Sequence, residues 1–202
     1  MTAALPPNKH QEKSLRTRAL LLDAALDSLA DRGYGNTSIS DITARAGVTR
    51  GAQVHHFHTR TELFAHAIDH LVVRQRESLH RHIGQLAPDT TPVEVLIGLV
   101  TATFAGRLGK AAIELYSSFA TDDELRHTML RSQHEITIEL LSTCTELIGD
   151  TAPRDRLEST FWLTVNLIRG TTVDEMLGRD ERRRRQVVDD WRTLATLALA
   201  TD

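Results

Sequence analysis

Residues 37–64 read TSISDITARAGVTRGAQVHHFHTRTELF, and their punctuation decides the fold. Ser38 stands three residues before Asp41, a helix N-cap pattern with an acid in the first turn. The spacing predicts a short helix over Ile39–Ala46, closed by Gly47. Thr49 can cap a second short helix running to about His56. Thr59 and Glu62 form a Thr-x-x-Glu capping box that opens a longer helix with the apolar stripe Leu63, Phe64, Ala67, Ile68, Leu71 and Val72. Two short helices separated by about three residues centred on a glycine have the layout of a helix-turn-helix.

Helical spacing continues in both directions. Upstream, Leu15, Ala19, Leu22, Leu26 and Leu29 predict a helix from Ser14 to Arg32, ended by Gly33. Residues 1–13 read as a disordered, slightly basic arm. Downstream, helices are expected at about 92–107, 110–120, 123–148, 154–177 and 181–200, with a break at Gly149–Pro153. Pro92 suits a first helical turn, where its missing N–H costs little. No stretch alternates apolar and polar residues in the manner of a strand. The fold class is therefore all-α: an N-terminal three-helix helix-turn-helix domain plus a C-terminal helical bundle, about nine helices in total. The expected division is an arm and helix-turn-helix domain over 1–59, a linking fourth helix over 60–84, and a second, bundle domain over 85–202.

Bulk composition narrows the function classes. No run of about 18 apolar residues is present, so no membrane partner is expected. The polar N-terminus lacks the apolar core of a secretory signal, and a single cysteine, Cys144, fits a reducing cytoplasm. Residues 1–60 hold eight Lys and Arg against five Asp and Glu, a net +3, while the remainder holds sixteen against twenty-two, a net −6. That asymmetry suggests an anionic partner for the N-terminal end. His55 and His56 are adjacent, so their side chains diverge by about 100° on a helix and are poorly placed to share one metal. His66 and His70 have the four-residue spacing of a metal pair but no third ligand in a recognisable motif. No metal, cofactor or catalytic constellation is expected, and the chain does not read as an enzyme.

The segment 37–64 closely resembles the DNA-binding segment of the TetR family of bacterial transcriptional repressors. The likeness lies in the capped short helix, the Ala46-Gly47-Val48 turn, the helix Thr49–Phe57 ending in an aromatic, and the capped start Thr59–Phe64. It extends over roughly residues 14–70. Gln53-Val54 stands where the family usually carries Leu-Tyr, and Arg60 where it carries Lys. The resemblance implies a recognition helix in the major groove of an operator. Arg50 would then bind a guanine edge or clamp a phosphate. Gly51 would let the backbone approach closely. Gln53 would read adenine or pack inward, and Val54 would pack on sugar or a thymine methyl. His55 would meet a base edge or sugar, and His56 a phosphate. Thr37, Ser38 and Thr49 would cap helices or reach phosphates, and Arg60 would meet a phosphate at a helix N-terminus.

The same resemblance implies a small-molecule effector bound in the second domain. Candidates are Phe104, Tyr116, Phe119, Met129, His134, Phe161, Trp162, Asn166 and Arg169, with Asn166 and Arg169 as polar anchors. It also implies a homodimer through the last two helices, where Trp191, Leu194, Leu197 and Ala198 would supply apolar contact. The expected function is a ligand-responsive regulator, a repressor released from a palindromic operator by its effector. The alternative is a helical small-molecule-binding protein with weak or lost DNA binding, which Val54 in place of Tyr keeps open.

Overall fold

The computed structural model describes residues 9–118 and 123–200, and among them every regular element is helical. In chain order these are α1 (Lys9–Arg32), α2 (Ile39–Ala46), α3 (Arg50–His56), α4 (Arg60–Ile83), α5 (Pro92–Phe104), α6 (Gly106–Ser117), α7 (Asp123–Ile148), a 3-10 turn (Gly149–Thr151), α8 (Arg154–Met176) and α9 (Glu181–Leu199).

Two expectations about boundaries need correcting. Helix α1 begins at Lys9, so residues 9–13 are helical instead of part of an arm; residues 1–8 of that arm lie outside the described residues. His10–Lys13 carry no helix breaker and extend a helix whose buried face starts only at Leu21. The second correction is the break between α5 and α6, which falls at Ala105–Gly106, earlier than the 107–110 interval. Gly106 takes φ +62°, which a side chain rarely adopts. At Gly109 a Cβ would lie 2.1 Å from the Phe104 carbonyl oxygen. The two glycines that resemble a loop in the sequence are what allow α6 to fold sharply back against the end of α5.

The buried apolar residues fall into two clusters. The first joins α1 (Leu21, Leu22, Leu26, Leu29), Ile42 of α2, Phe57, and the first half of α4 (Leu63, Phe64, Ile68, Leu71). It is closed from below by Ala111, Ala112 and Leu115 of α6 and by Leu125 and Met129 of α7. The second joins the end of α4 with α5, α7, α8 and the end of α9, around Leu96, Leu99, Val100, Leu140, Phe161 and Val165. Helix α4 is thus a spine shared by both. Cys144 sits in the second cluster, where burial pushes its thiol up to about 12, so it behaves as a small apolar side chain.

Charged contacts tie the two parts together. Arg107 of α6 reaches α1, with Nη1 2.8 Å from Asp31 and Nη2 2.9 Å from Asp27. Arg45 of α2 completes the cluster at 2.7 Å from Asp31. The hydrogen bonds from Arg107 and Arg45 hold the Asp31 carboxyl down at about 2. Next to them, Glu114 of α6 accepts a 2.9 Å hydrogen bond from the backbone N–H of Tyr34.

Candidate nucleic-acid interface

The helix-turn-helix is built by caps that the local sequence supplies. Ser38 Oγ accepts from Asp41 N at 3.1 Å while Asp41 reaches back to Ser38 N at 3.2 Å, a complete capping box. Gly47, at φ +65°, donates its N–H back to the carbonyls of Ala44 and Thr43 and turns the chain toward α3. Thr49 Oγ1 accepts from Ala52 N at 3.2 Å and starts α3. Thr59 caps α4 through Glu62 N. The reciprocal half of that expected capping box is shifted by one residue, because Glu62 accepts from His58 N at 2.7 Å. Each such cap is worth about 1 kcal/mol, enough to fix a seven-residue helix that would not stand alone.

Helix α3 presents two faces. Outward, Arg50, Gly51, Val54 and His55 are exposed. Among the described residues no hydrogen bond or ion pair occupies the Arg50 guanidinium, so it projects free from the first turn. His55 and His56 touch edge-on, with ring centroids 5.2 Å apart and planes 66° apart. Burial, with help from the charges of His55 and Arg18, lowers the pKa of His56 below its ordinary value, favouring a neutral imidazole that can donate or accept. Between α2 and α3 runs a groove of about 520 Å³ lined by Ser40, Thr43, Ala44, Arg50, Val54 and others. Ser40, Thr43 and Ala44, on α2, were not singled out in the sequence; they follow from the outward face of the Ile39–Ala46 helix opposite buried Ile42.

Inward, three expected DNA contacts are spent on the protein itself. Gln53 is only 4% exposed, and its Nε2 donates to the Phe57 carbonyl at 2.6 Å. It closes the end of α3, as the inward-packing reading expects. Thr37 is buried, with Oγ1 donating to the carbonyls of Gly33 at 2.7 Å and Ser28 at 3.3 Å. Arg60 is also engaged on the protein. Its guanidinium donates to the carbonyls of Thr37 and Tyr34 and lies 4.0 Å over the Tyr34 ring and 5.0 Å over that of Phe64. It pins the α1–α2 loop to the start of α4. Ser38 and Thr49 remain exposed, each with its hydroxyl engaged in a cap.

The effector candidates separate in the same way. Phe104, Tyr116 and Arg169 come together: the Arg169 guanidinium lies 4.6 Å over the Phe104 ring, and its charge acts on Tyr116, whose hydroxyl pKa is raised by burial. Phe161 and Met129 are fully buried, Phe161 in the second cluster and Met129 in the first. His134, Trp162 and Asn166 are exposed, on the faces of α7 and α8 turned away from Ile136, Leu140, Phe161 and Val165; they do not line the interior. The Asn166 amide donates to the Trp162 carbonyl at 3.0 Å. Phe119 lies outside the described residues. Trp191 also turns inward, donating from Nε1 to Thr164 Oγ1 at 3.0 Å, so it supports the α8–α9 packing and not an outer surface.

A polar chain that the sequence reading missed crosses the interior beside Tyr116. The Tyr116 hydroxyl donates to Gln133 Oε1 at 3.2 Å, Gln133 Nε2 to Gln75 Oε1 at 3.4 Å, and Gln75 Nε2 to the Thr103 carbonyl at 3.1 Å. The signal was available: Gln75 interrupts the apolar stripe between Leu71 and Leu79, and Gln133 the stripe between Met129 and Ile136. His66 and His70, the spaced pair on α4, are both engaged. His70 Nε2 lies 2.8 Å from Asp23, and His66 packs on Phe57 with centroids 5.7 Å apart. Among the described residues no three His, Cys, Asp or Glu side chains converge as a metal site would require.

An all-helical body carrying a capped helix-turn-helix with an exposed recognition face defines a helix-turn-helix DNA-binding protein. A family model described as bacterial regulatory proteins, tetR family, matches residues 21–67. The transcriptional regulator CymR of Pseudomonas putida is 27% identical over 174 residues, 85% of each chain. Among solved structures, a transcriptional regulator from Saccharomonospora viridis in complex with choline has a TM-score of 0.66 at 16% identity, covering 87% of this chain and 95% of that one. The regulator LfrR from Mycobacterium smegmatis, in complex with proflavine, has a TM-score of 0.57 at 24% identity, covering 94% and 99%. The segment 21–67 is thus similar to the DNA-binding part of the tetR family of bacterial regulatory proteins, and the relatives the chain resembles along its length are transcriptional regulators.

Proposed function

We propose that the protein is a cytoplasmic, homodimeric repressor that holds a palindromic operator and releases it when a small molecule enters its body. The observation that carries the DNA half is the exposed face of α3, with an unengaged Arg50 at its first turn beside Gly51, Val54 and His55. The contact set sharpens to Ser38, Thr49, Arg50, Gly51, Val54, His55 and His56, with Ser40 and Thr43 of α2 flanking the groove. Gln53, Thr37 and Arg60 support that surface from behind. Val54 is 46% exposed, so it offers an apolar contact to sugar or a thymine methyl where a tyrosine would have offered a hydroxyl.

Dimerisation is supported by the outer face of the last two helices. Leu163 and Leu177 of the α8 region and Leu194 and Leu197 of α9 are exposed, Leu197 by 69% and Leu194 by 58%. Such apolar area on two adjacent helices fits a four-helix interface between two subunits. A two-fold pair would set the recognition helices about one DNA turn apart, roughly 34–36 Å. The effector half rests on the Tyr116–Gln133–Gln75 chain and the Arg169–Phe104 stack, which offer polar anchors inside an apolar body. Helix α6 carries Tyr116 at one end and Arg107, the residue gripping α1, at the other, so a ligand displacing Tyr116 would move the DNA-binding part. A band-shift with the DNA upstream of the protein's own gene, repeated after Leu194→Glu and Leu197→Glu, tests the reading. Binding by the wild type and loss by the double variant, with sedimentation showing a monomer, are expected. A double variant that stays dimeric, or a wild type without sequence preference, would contradict it.

A further inference from the structure

The geometry points to a binding site for a small apolar monocarboxylate in a cavity of about 230 Å³ between the α5–α6 corner, α8 and the start of α9. This site lies apart from the Tyr116 chain and goes beyond the function proposed above. Its walls include the apolar side chains of Ala105, Ile168 and Val188 together with Thr101, Thr171 and Thr172, and the hydroxyls of Thr171 and Thr172 are already spent on the Ile168 carbonyl. At one end, Glu175 lies between two cations, 2.8 Å from Lys110 and 3.0 Å from Arg184. These hydrogen bonds, led by that from Lys110, lower the Glu175 pKa and keep its carboxylate charged. Two cations on one carboxylate leave one positive charge over. Arg185 and Glu181, 3.2 Å apart, cancel each other at the rim.

The decisive feature is the Arg184 Nε–H. It is buried and has no hydrogen-bond acceptor among the described residues, although Nη1 of the same side chain serves Glu175. An unmet donor on a charged group costs more to bury than one on a neutral group, and a carboxylate oxygen is among its strong partners. The ligand that answers all three features carries one negative charge, to balance the surplus cation and accept from Nε–H. It carries an apolar tail, to cover Ile168 and Val188. It is small, because the cavity falls below the range of roughly 300–1,000 Å³ that holds drug-sized molecules.

Titration calorimetry of the full chain with hexanoate and with its neutral isostere hexanamide tests this directly. Hexanoate should bind saturably and at least about tenfold tighter than hexanamide, the factor a charge-assisted hydrogen bond contributes. Arg184→Lys keeps the charge but removes the Nε–H, and should weaken hexanoate about tenfold while leaving hexanamide unchanged. No saturable binding of hexanoate would overturn the proposal, including the case in which a carboxylate of a second subunit already holds Arg184. Equal binding of acid and amide would overturn it as well, and that comparison decides even if Arg184→Lys does not fold. None of these outcomes depends on operator binding, so the proposal and the repressor reading fail separately.

Discussion

The two parts of the molecule differ in whether buried polar side chains link one helix to another. Around α1–α4, the buried polar groups serve nearby backbone: Thr37 donates to Gly33 and Ser28, Gln53 to Phe57, and Arg60 to the loop it faces. In the α4–α9 body the buried threonines Thr103, Thr137, Thr164 and Thr172 likewise serve backbone, but a side-chain relay also crosses helices, from Tyr116 on α6 through Gln133 on α7 to Gln75 on α4. The first pattern makes a rigid platform whose outer face is free for a partner. On the proposed function, the second is the interior whose polar links a ligand would replace, since each link joins two helices and not two neighbours on one chain. Rigidity beneath α3 and exchangeability beside Tyr116 are what a regulator with a fixed reading head and a movable body needs.

Breaking the platform should have the largest effect. Arg60→Ala removes two charge-assisted hydrogen bonds and two ring contacts, and should cost about 2–3 kcal/mol in chemical denaturation. If Arg60 served only a phosphate, stability would not change and only DNA affinity would fall. Gln133→Leu cuts the cross-helix chain at its centre, leaving Gln75 Oε1 without its donor, and should cost about 1–2 kcal/mol while weakening any effector that uses Tyr116. Effector affinity equal to that of the wild type would remove this chain from the ligand site. Thr37→Val keeps the shape but deletes the hydroxyl, at a cost of about 1 kcal/mol read in the same denaturation curves.

The smallest effect concerns the seam between the two parts. Asp31 has its pKa lowered to about 2 by Arg107 and Arg45. A depressed carboxylate contributes stability that is present above its ordinary value near 3.8 and is lost as pH falls toward 2. The wild type should therefore lose stability between about pH 4 and pH 2, and Asp31→Asn should flatten part of that slope. The pair is partly exposed, so the change is modest and shrinks with salt. Identical acid limbs for the two proteins would show that the seam contributes nothing.

What was legible in the sequence follows the same division. Ser38, Gly47, Thr49 and Thr59 act within three or four residues, so their spacing announced each helix end before any packing was known. The direction of Gln53 and Arg60 depends on what lies 4 to 26 residues away, and nothing in their local pattern distinguished a DNA contact from a strut. The same holds for His134, Trp162 and Asn166, whose helices were expected but whose facing was not fixed by short apolar stripes. Gln75 and Gln133 were the exception, since a polar residue inside a continuous stripe marks buried polar work even when its partner is 58 residues distant.

The central claim is that α3 reads DNA with its outer face and is held from behind by its inner one. Fluorescence anisotropy on one upstream DNA fragment, with Arg50→Ala and Gln53→Ala measured side by side with their thermal stabilities, tests it most directly. Arg50→Ala should weaken binding about tenfold or more at unchanged stability, and Gln53→Ala should lower stability by about 1 kcal/mol while the folded protein keeps the same preference among DNA sequences. An Arg50→Ala protein that binds like the wild type, or a stable Gln53→Ala protein with altered base preference, would contradict the assignment of the two faces.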